Sequence, residues 1–249
     1  MNNKCDINEI NKKLKNMSAD SNLENNEKII LATAQFVKET LADSESGHDW
    51  WHIYRVWNLS KKLSENEDVD ILVVELGALL HDIADSKFHD GDETIGPKKA
   101  RIFLESLKVD EKTIIHVENI IKYISFKGGQ KNHVFKSKEL DLVQDADRID
   151  AIGAIGIARA FSYGGFKKRP IYVPGIKPKN NMTPEEYRNS KSHTINHFYE
   201  KLLLLKDLMN TKAGKKLAES RTEFMLKFLD EFYCEWNQSS SDSDKYISK

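Results

Sequence analysis

The chain is 249 residues long and carries 38 Lys plus Arg against 39 Asp plus Glu, a formal net charge of -1 at pH 7. That balance excludes a globally basic nucleic-acid binder and an acidic solvating tail protein, and 39% apolar residues are enough for a folded interior. Only 12 glycines and 5 prolines disfavour turn-dense sandwiches and propellers, and Cys5 and Cys234, near opposite ends, suggest neither a disulfide framework nor a zinc cluster.

The first 23 residues, rich in Asn and Lys, show no apolar period and are expected to form a flexible arm; residues 237–249, rich in Ser and Asp, are expected to do the same. Met1 to Asp20 lacks the apolar stretch of a signal peptide, which gives a cytoplasmic expectation. Between the arms, residues 24–236 read as one all-α domain, a helical bundle with one long irregular loop. Ile29, Thr33, Val37 and Leu41 mark one helical stripe; Ile53, Val56, Trp57 and Leu63 mark a second. From Ile71 to Leu80 the chain is apolar almost all round, which predicts a central buried helix, although Val73 and Val74 leave a strand open. This longest apolar run reaches only Ile83 and is broken by Glu75, His81 and Asp82, so no membrane span is expected.

Further helices are predicted over Ile95 to Leu107, Thr113 to Ile124 and Ser137 to Phe161, the last with Gly153 and Gly156 attributed to close packing. The run from Phe161 to Met182, with its clustered Gly and Pro, breaks the rhythm and reads as the long loop, with room for a short hairpin at Ile171 to Val173. Thr183-Pro184-Glu185-Glu186 has the form of a capping box. Ile195, Phe198, Leu202, Leu205 and Met209 follow it, and Leu217, Arg221, Phe224, Phe228, Phe232 and Trp236 give a final amphipathic helix whose exposed aromatics permit a homodimer.

Three places concentrate ligand-type side chains. In Gly47-His48-Asp49-Trp50-Trp51-His52, the two histidines share a helical face and suit a metal, or a turn in which His48 caps and His52 hydrogen-bonds. His81-Asp82 ends the most apolar helix, where a carboxylate is costly unless it is paired or bound to a cation. Gln144-Asp145-Ala146-Asp147-Arg148-Ile149-Asp150 sets three acids in an otherwise apolar helix; Arg148 could neutralise one of them but not all three.

In this order, these motifs resemble the HD-domain superfamily of metal-dependent phosphohydrolases, and the phrases Leu-Leu-His-Asp-Ile-Ala-Asp and Gln-Asp-Ala-Asp-Arg-Ile-Asp resemble the subgroup that includes bacterial HD-domain nucleotide pyrophosphohydrolases. The resemblance covers about Ile29 to Trp236. It implies that His52, His81, Asp82 and Asp147 ligate one divalent ion, a mixed set that suits Mn²⁺ best, with Co²⁺, Fe²⁺, Zn²⁺ or Mg²⁺ as alternatives. It also implies that Asp85 orients the attacking water or transfers a proton, with His48 assisting. Arg55, Lys87 and Lys201 are the candidate phosphate contacts. The expected substrate is a small phosphorylated molecule, a nucleoside triphosphate cleaved to monophosphate and pyrophosphate. Alternatives are a nucleoside monophosphate phosphatase and a non-catalytic nucleotide or metal sensor. A zinc protease built on His48-Asp49-Trp50-Trp51-His52 would leave His81, Asp82 and Asp147 unexplained, and a purely structural helical adaptor would bind no metal. Charge is also locally uneven: His81 to Glu93 holds five acids and one Lys, whereas Phe166 to Lys179 holds five basic residues and no acid. No extended nucleic-acid surface is implied.

Overall fold

The computed structural model describes residues 24–42, 49–84, 94–124, 135–179, 182–183, 186 and 192–238. These residues are all-α, and no strand occurs among them. Chain packing divides the protein into two compact units, Met1–Ala146 and Asp147–Lys249.

In the first unit, α1 (Asn25–Thr40), α2 (Trp50–Ser64), α3 (Ile71–Leu80), α4 (Ile95–Ser106) and α5 (Glu111–Tyr123) precede α6 (Lys138–Asp150). The predicted stripe of α1 is buried at Ile29, Thr33, Val37 and Leu41. The segment that left a strand open is the helix α3, buried continuously from Val73 to Leu80. Apolar residues pointing in every direction can be covered only from several sides, and α3 packs against α1, α2 and α5. Short acidic residues start these helices: Asp49 accepts from the His52 backbone N–H at 2.9 Å, Asp70 from Leu72 N at 3.0 Å, and Asp110 from Thr113 N at 3.0 Å. Asp49 is thus the cap of α2, a role that accounts for the acid between the two histidines without a protease. Arg101 on α4 ties to Glu118 on α5 (Nε to Oε1, 2.9 Å) and to Glu111 (3.0 Å).

The second unit begins within α6 and continues through α7 (Gly153–Phe166), α8 (Thr194–Glu200), a 3-10 helix (Leu202–Leu208) and α9 (Lys212–Asn237). The single helix expected over Ser137 to Phe161 is two helices. Gly153, at φ +77°, makes the break, and its left-handed backbone is the conformation glycine adopts without strain. The irregular segment also starts later than expected, because α7 runs through Gly164 and Gly165 to Phe166. A Cβ at Gly164 would lie 2.3 Å from Thr194 Oγ1, so this glycine serves close packing with α8 rather than a loop. No hairpin forms at Ile171 to Val173. Instead the carbonyls of Pro170 and Ile171 accept from Thr194 N and Ile195 N at 3.0 and 3.1 Å. The expected capping box forms in both directions: Thr183 N donates to Glu186 Oε2 at 2.7 Å, and Glu186 N donates to Thr183 Oγ1 at 3.2 Å. Glu186 is held below the usual carboxylate range by that backbone bond. In α9 the buried stripe is Ala218, Thr222, Met225 and Leu229, whereas Phe224 and Trp236 are exposed. The aromatic stripe read from sequence therefore flanks the packed face; smaller residues let the helix approach closely.

Candidate metal centre

His52 sits in the first turn of α2, its backbone tied to the Asp49 cap, and its side chain is buried. His81 closes α3 as its C-terminal cap and is also buried. The Ala78 carbonyl lies 2.8 Å from His81 Nδ1. With Nδ1–H donating there, the lone pair falls on Nε2, the nitrogen that faces His52. The two Nε2 atoms are 3.3 Å apart. Two buried imidazole nitrogens at that distance need a shared proton or a cation between them. Asp82 Oδ2 stands 3.8 Å from His52 Nε2 and 4.0 Å from His81 Nε2.

Asp147 arrives on α6. That helix is seated on α5 by Gln144, whose Nε2 donates to the Tyr123 carbonyl at 2.9 Å, and its start is tied to Asp70 through Glu139. One helical turn after Gln144, Asp147 offers a carboxylate oxygen, and the ligand atoms of His52, His81 and Asp147 all lie within 4.8 Å of one another. Ligands on one ion at bonds of about 2.1 Å are separated by about 3.0 Å when adjacent and about 4.2 Å when opposite. The separations between His52, His81 and Asp82 fall in that range, and Asp147 offers an oxygen within 4.8 Å of the ligand atoms of both histidines. The residues therefore fit a divalent ion with nitrogen and oxygen donors.

Two other charged residues of the α6 motif have partners away from the histidines. Asp150 pairs with Arg159 at 2.6 Å, and Arg148 donates to the Leu208 carbonyl at 2.6 Å. Arg55, three residues after His52, is half-buried on α2. Lys201 belongs to the second unit, where it terminates α8 and lies near His197. Burial, then the charges of Lys201 and Arg169, push the His197 imidazole down to about 3. Asp85, His48 and Lys87 lie outside the described residues. Sequence reasoning passed over one contributor, the Ala78 carbonyl, which carries no side-chain signal.

Two buried imidazoles and a half-buried carboxylate, gathered from separate helices, form a group that could hold a metal ion within an all-α fold. Residues 50–152, which contain His52, His81, Asp82 and Asp147, match the HD domain family. The uncharacterized protein YpgQ of Bacillus subtilis (strain 168) is 38% identical over 197 residues, covering 78% of this chain and 87% of YpgQ. Among solved structures, an HD-superfamily hydrolase from Bacillus thuringiensis is 45% identical with a TM-score of 0.69, covering 85% of this chain and 98% of that one. YpgQ in complex with ADP is 32% identical with a TM-score of 0.69, covering 85% and 97%. The chain belongs to the HD-domain family of metal-dependent phosphohydrolases. Among the described residues no helix is long and apolar enough to cross a membrane.

Proposed function

We propose that the protein is a nucleotide pyrophosphohydrolase that holds a divalent ion, Mn²⁺ in first place, through His52, His81, Asp82 and Asp147. The observation that carries this reading is the convergence of His52, His81 and Asp147 ligand atoms within 4.8 Å. The nucleotide class is supported by ADP in the YpgQ complex, a protein that this chain resembles over most of its length. A bound divalent ion supplies positive charge that acidifies a coordinated water and neutralises the phosphate. The chain's own residues do the rest. Ala78 holds the tautomer of His81, Asp49 anchors the backbone of His52, and the two carboxylates balance charge in a largely buried setting. Arg55 is the described side chain best suited to orient a phosphate, because its planar fork matches two phosphate oxygens and it follows His52 by one helical turn. By sequence position, four residues after His81, Asp85 is the candidate for orienting the attacking water.

The test is release of phosphate and pyrophosphate from nucleoside tri-, di- and monophosphates with Mn²⁺, Co²⁺, Mg²⁺ and Zn²⁺ compared. Pyrophosphate and monophosphate from a triphosphate is the expected result. Phosphate from a monophosphate would replace it with the 5'-nucleotidase reading, and nucleotide binding without turnover under every ion would replace it with a sensor.

A further inference from the structure

Helices α2 and α3 meet along an interface that carries two polar rungs. One is His52 with His81. The other is Trp57 with Glu75, where the indole Nε1–H donates to Glu75 Oε2 at 2.7 Å. Glu75 is 8% exposed in the middle of a helix whose neighbouring positions are Val73, Val74, Leu76, Ala78 and Leu79. Its charge is compensated by Lys61, one turn after Trp57, whose Nζ lies 3.8 Å from the same oxygen and 5.3 Å from the centre of the Trp57 ring. Along α2 the pairing runs from 52 to 57 while along α3 it runs from 81 to 75, so the helices are antiparallel. At 1.5 Å per residue the second rung lies about 8 Å from the first.

Apolar packing is non-directional and tolerates small slides and rotations of one helix on another. Buried apolar residues such as Ile53 and Val56 on α2 and Val74 and Leu79 on α3 therefore do not define the register of these packed helices to a fraction of an ångström. A directional bond between a buried carboxylate and an indole does define it. Replacing a buried ion pair by well-packed apolar residues is often neutral for stability, so what sets Glu75 apart from its apolar neighbours is the direction of its bond.

We infer that Glu75 is a positioning residue for the metal centre: through Trp57 and Lys61 it fixes the register of α2 on α3, and so holds the His52 and His81 nitrogens at chelating distance. This rests on the metal reading of the site above. The experiment is a Co²⁺ titration of the full chain, followed by calorimetry and by the visible absorption of the bound ion, alongside thermal unfolding of the metal-free protein. Wild-type chain that takes up no Co²⁺ would overturn the metal reading itself.

With wild-type binding in hand, Glu75→Gln keeps an acceptor for the indole and is expected to stay within about 3-fold of wild type. Glu75→Met and Trp57→Phe each remove the bond and are expected to bind Co²⁺ about 10- to 100-fold more weakly, the range for groups that orient metal ligands. Their visible spectrum should change, and the metal-free Tm of Glu75→Met should fall little or rise. Leu63→Ala, an apolar deletion on α2 away from both rungs, should lower Tm and leave Co²⁺ affinity unchanged. Wild-type affinity and spectrum in Trp57→Phe and Glu75→Met would overturn the assignment. So would a loss in Leu63→Ala as large as in Trp57→Phe, because metal affinity would then follow stability alone. If Glu75→Met does not fold, Trp57→Phe decides.

Discussion

The two units use opposite means to place polar side chains. In the first, His52, His81 and Glu75 project from regular helices, each buried and each held by a named partner: a cap, a backbone carbonyl or an indole. In the second, the basic run from Lys167 to Lys179 lies on irregular backbone that has no ladder of its own. That segment is ordered by what it leans on. Tyr172 contacts the rings of His193, Phe232, Tyr233 and Trp236 at 5.0 to 5.8 Å, and the Ile176 carbonyl accepts from Asn196 Nδ2 at 3.0 Å. Turned by Gly175 at φ +86°, the segment keeps its cations at the surface, two of them over the Tyr163 ring. A metal needs donors fixed to fractions of an ångström, which helices provide. Solvated cations carry no such requirement, so an irregular segment can present them.

This contrast can be broken most sharply at the ligands. Asp82→Asn is expected to lower metal-dependent turnover on the order of 10³-fold, about 4 kcal/mol of barrier, with helix content by circular dichroism unchanged. Full turnover in folded Asp82→Asn protein would remove Asp82 from the ligand set. Next, Tyr172→Ala should cost about 2 to 3 kcal/mol in urea unfolding and open the chain near 170–179 to limited proteolysis, while Co²⁺ affinity stays at the wild-type value. A fall in metal affinity would show that the two regions are not separable.

The third prediction concerns pH. In the unfolded chain His197 takes up a proton below about 6.5, whereas in the folded chain it stays neutral down to about 3. Between those values the unfolded state binds more protons, so this residue's contribution falls as pH falls, by at most about 1.4 kcal/mol per unit. His197→Met should therefore lose less stability than wild type between pH 7 and pH 5, by about 2 kcal/mol, as read from urea midpoints. The smallest effect is expected at Arg101→Gln, where the partly exposed links between α4 and α5 are lost. Its lowered Tm should approach the wild-type value in 1 M NaCl, since salt screens such pairs.

Much of the first unit was legible because its signals are local. The apolar stripe of α1 and the apolar run of α3 set their helices, and His81-Asp82 is an expensive pair at the end of a buried helix; the caps Asp49, Asp70 and Asp110 were not read from the sequence. The helix break at Gly153 was missed because glycine inside an apolar run reads equally well as a packing contact, which is what Gly164 proved to be. The final helix and its exposed aromatics were expected, but the packed face of Ala218, Thr222, Met225 and Leu229 was not singled out. Proximity favours the small residue where helices touch closely, and the aromatics then fill the flanks. Glu75 could have been found by the argument that singled out Asp82, because a lone acid inside an apolar helix also requires a partner.

By itself the sequence determined an all-α chain with balanced charge and three ligand-bearing motifs in the order of the HD family. Those properties follow from periodicity, from the cost of burying charge and from residue order. The family resemblance had already singled out Asp147 among Asp145, Asp147 and Asp150; only the tertiary structure decided the geometry, giving Asp150 to Arg159 and setting Asp147 beside His52 and His81. It also decided the partner of Glu75. Choices among equivalent side chains depend on which helix faces which, and that information lies in packing between residues distant in sequence.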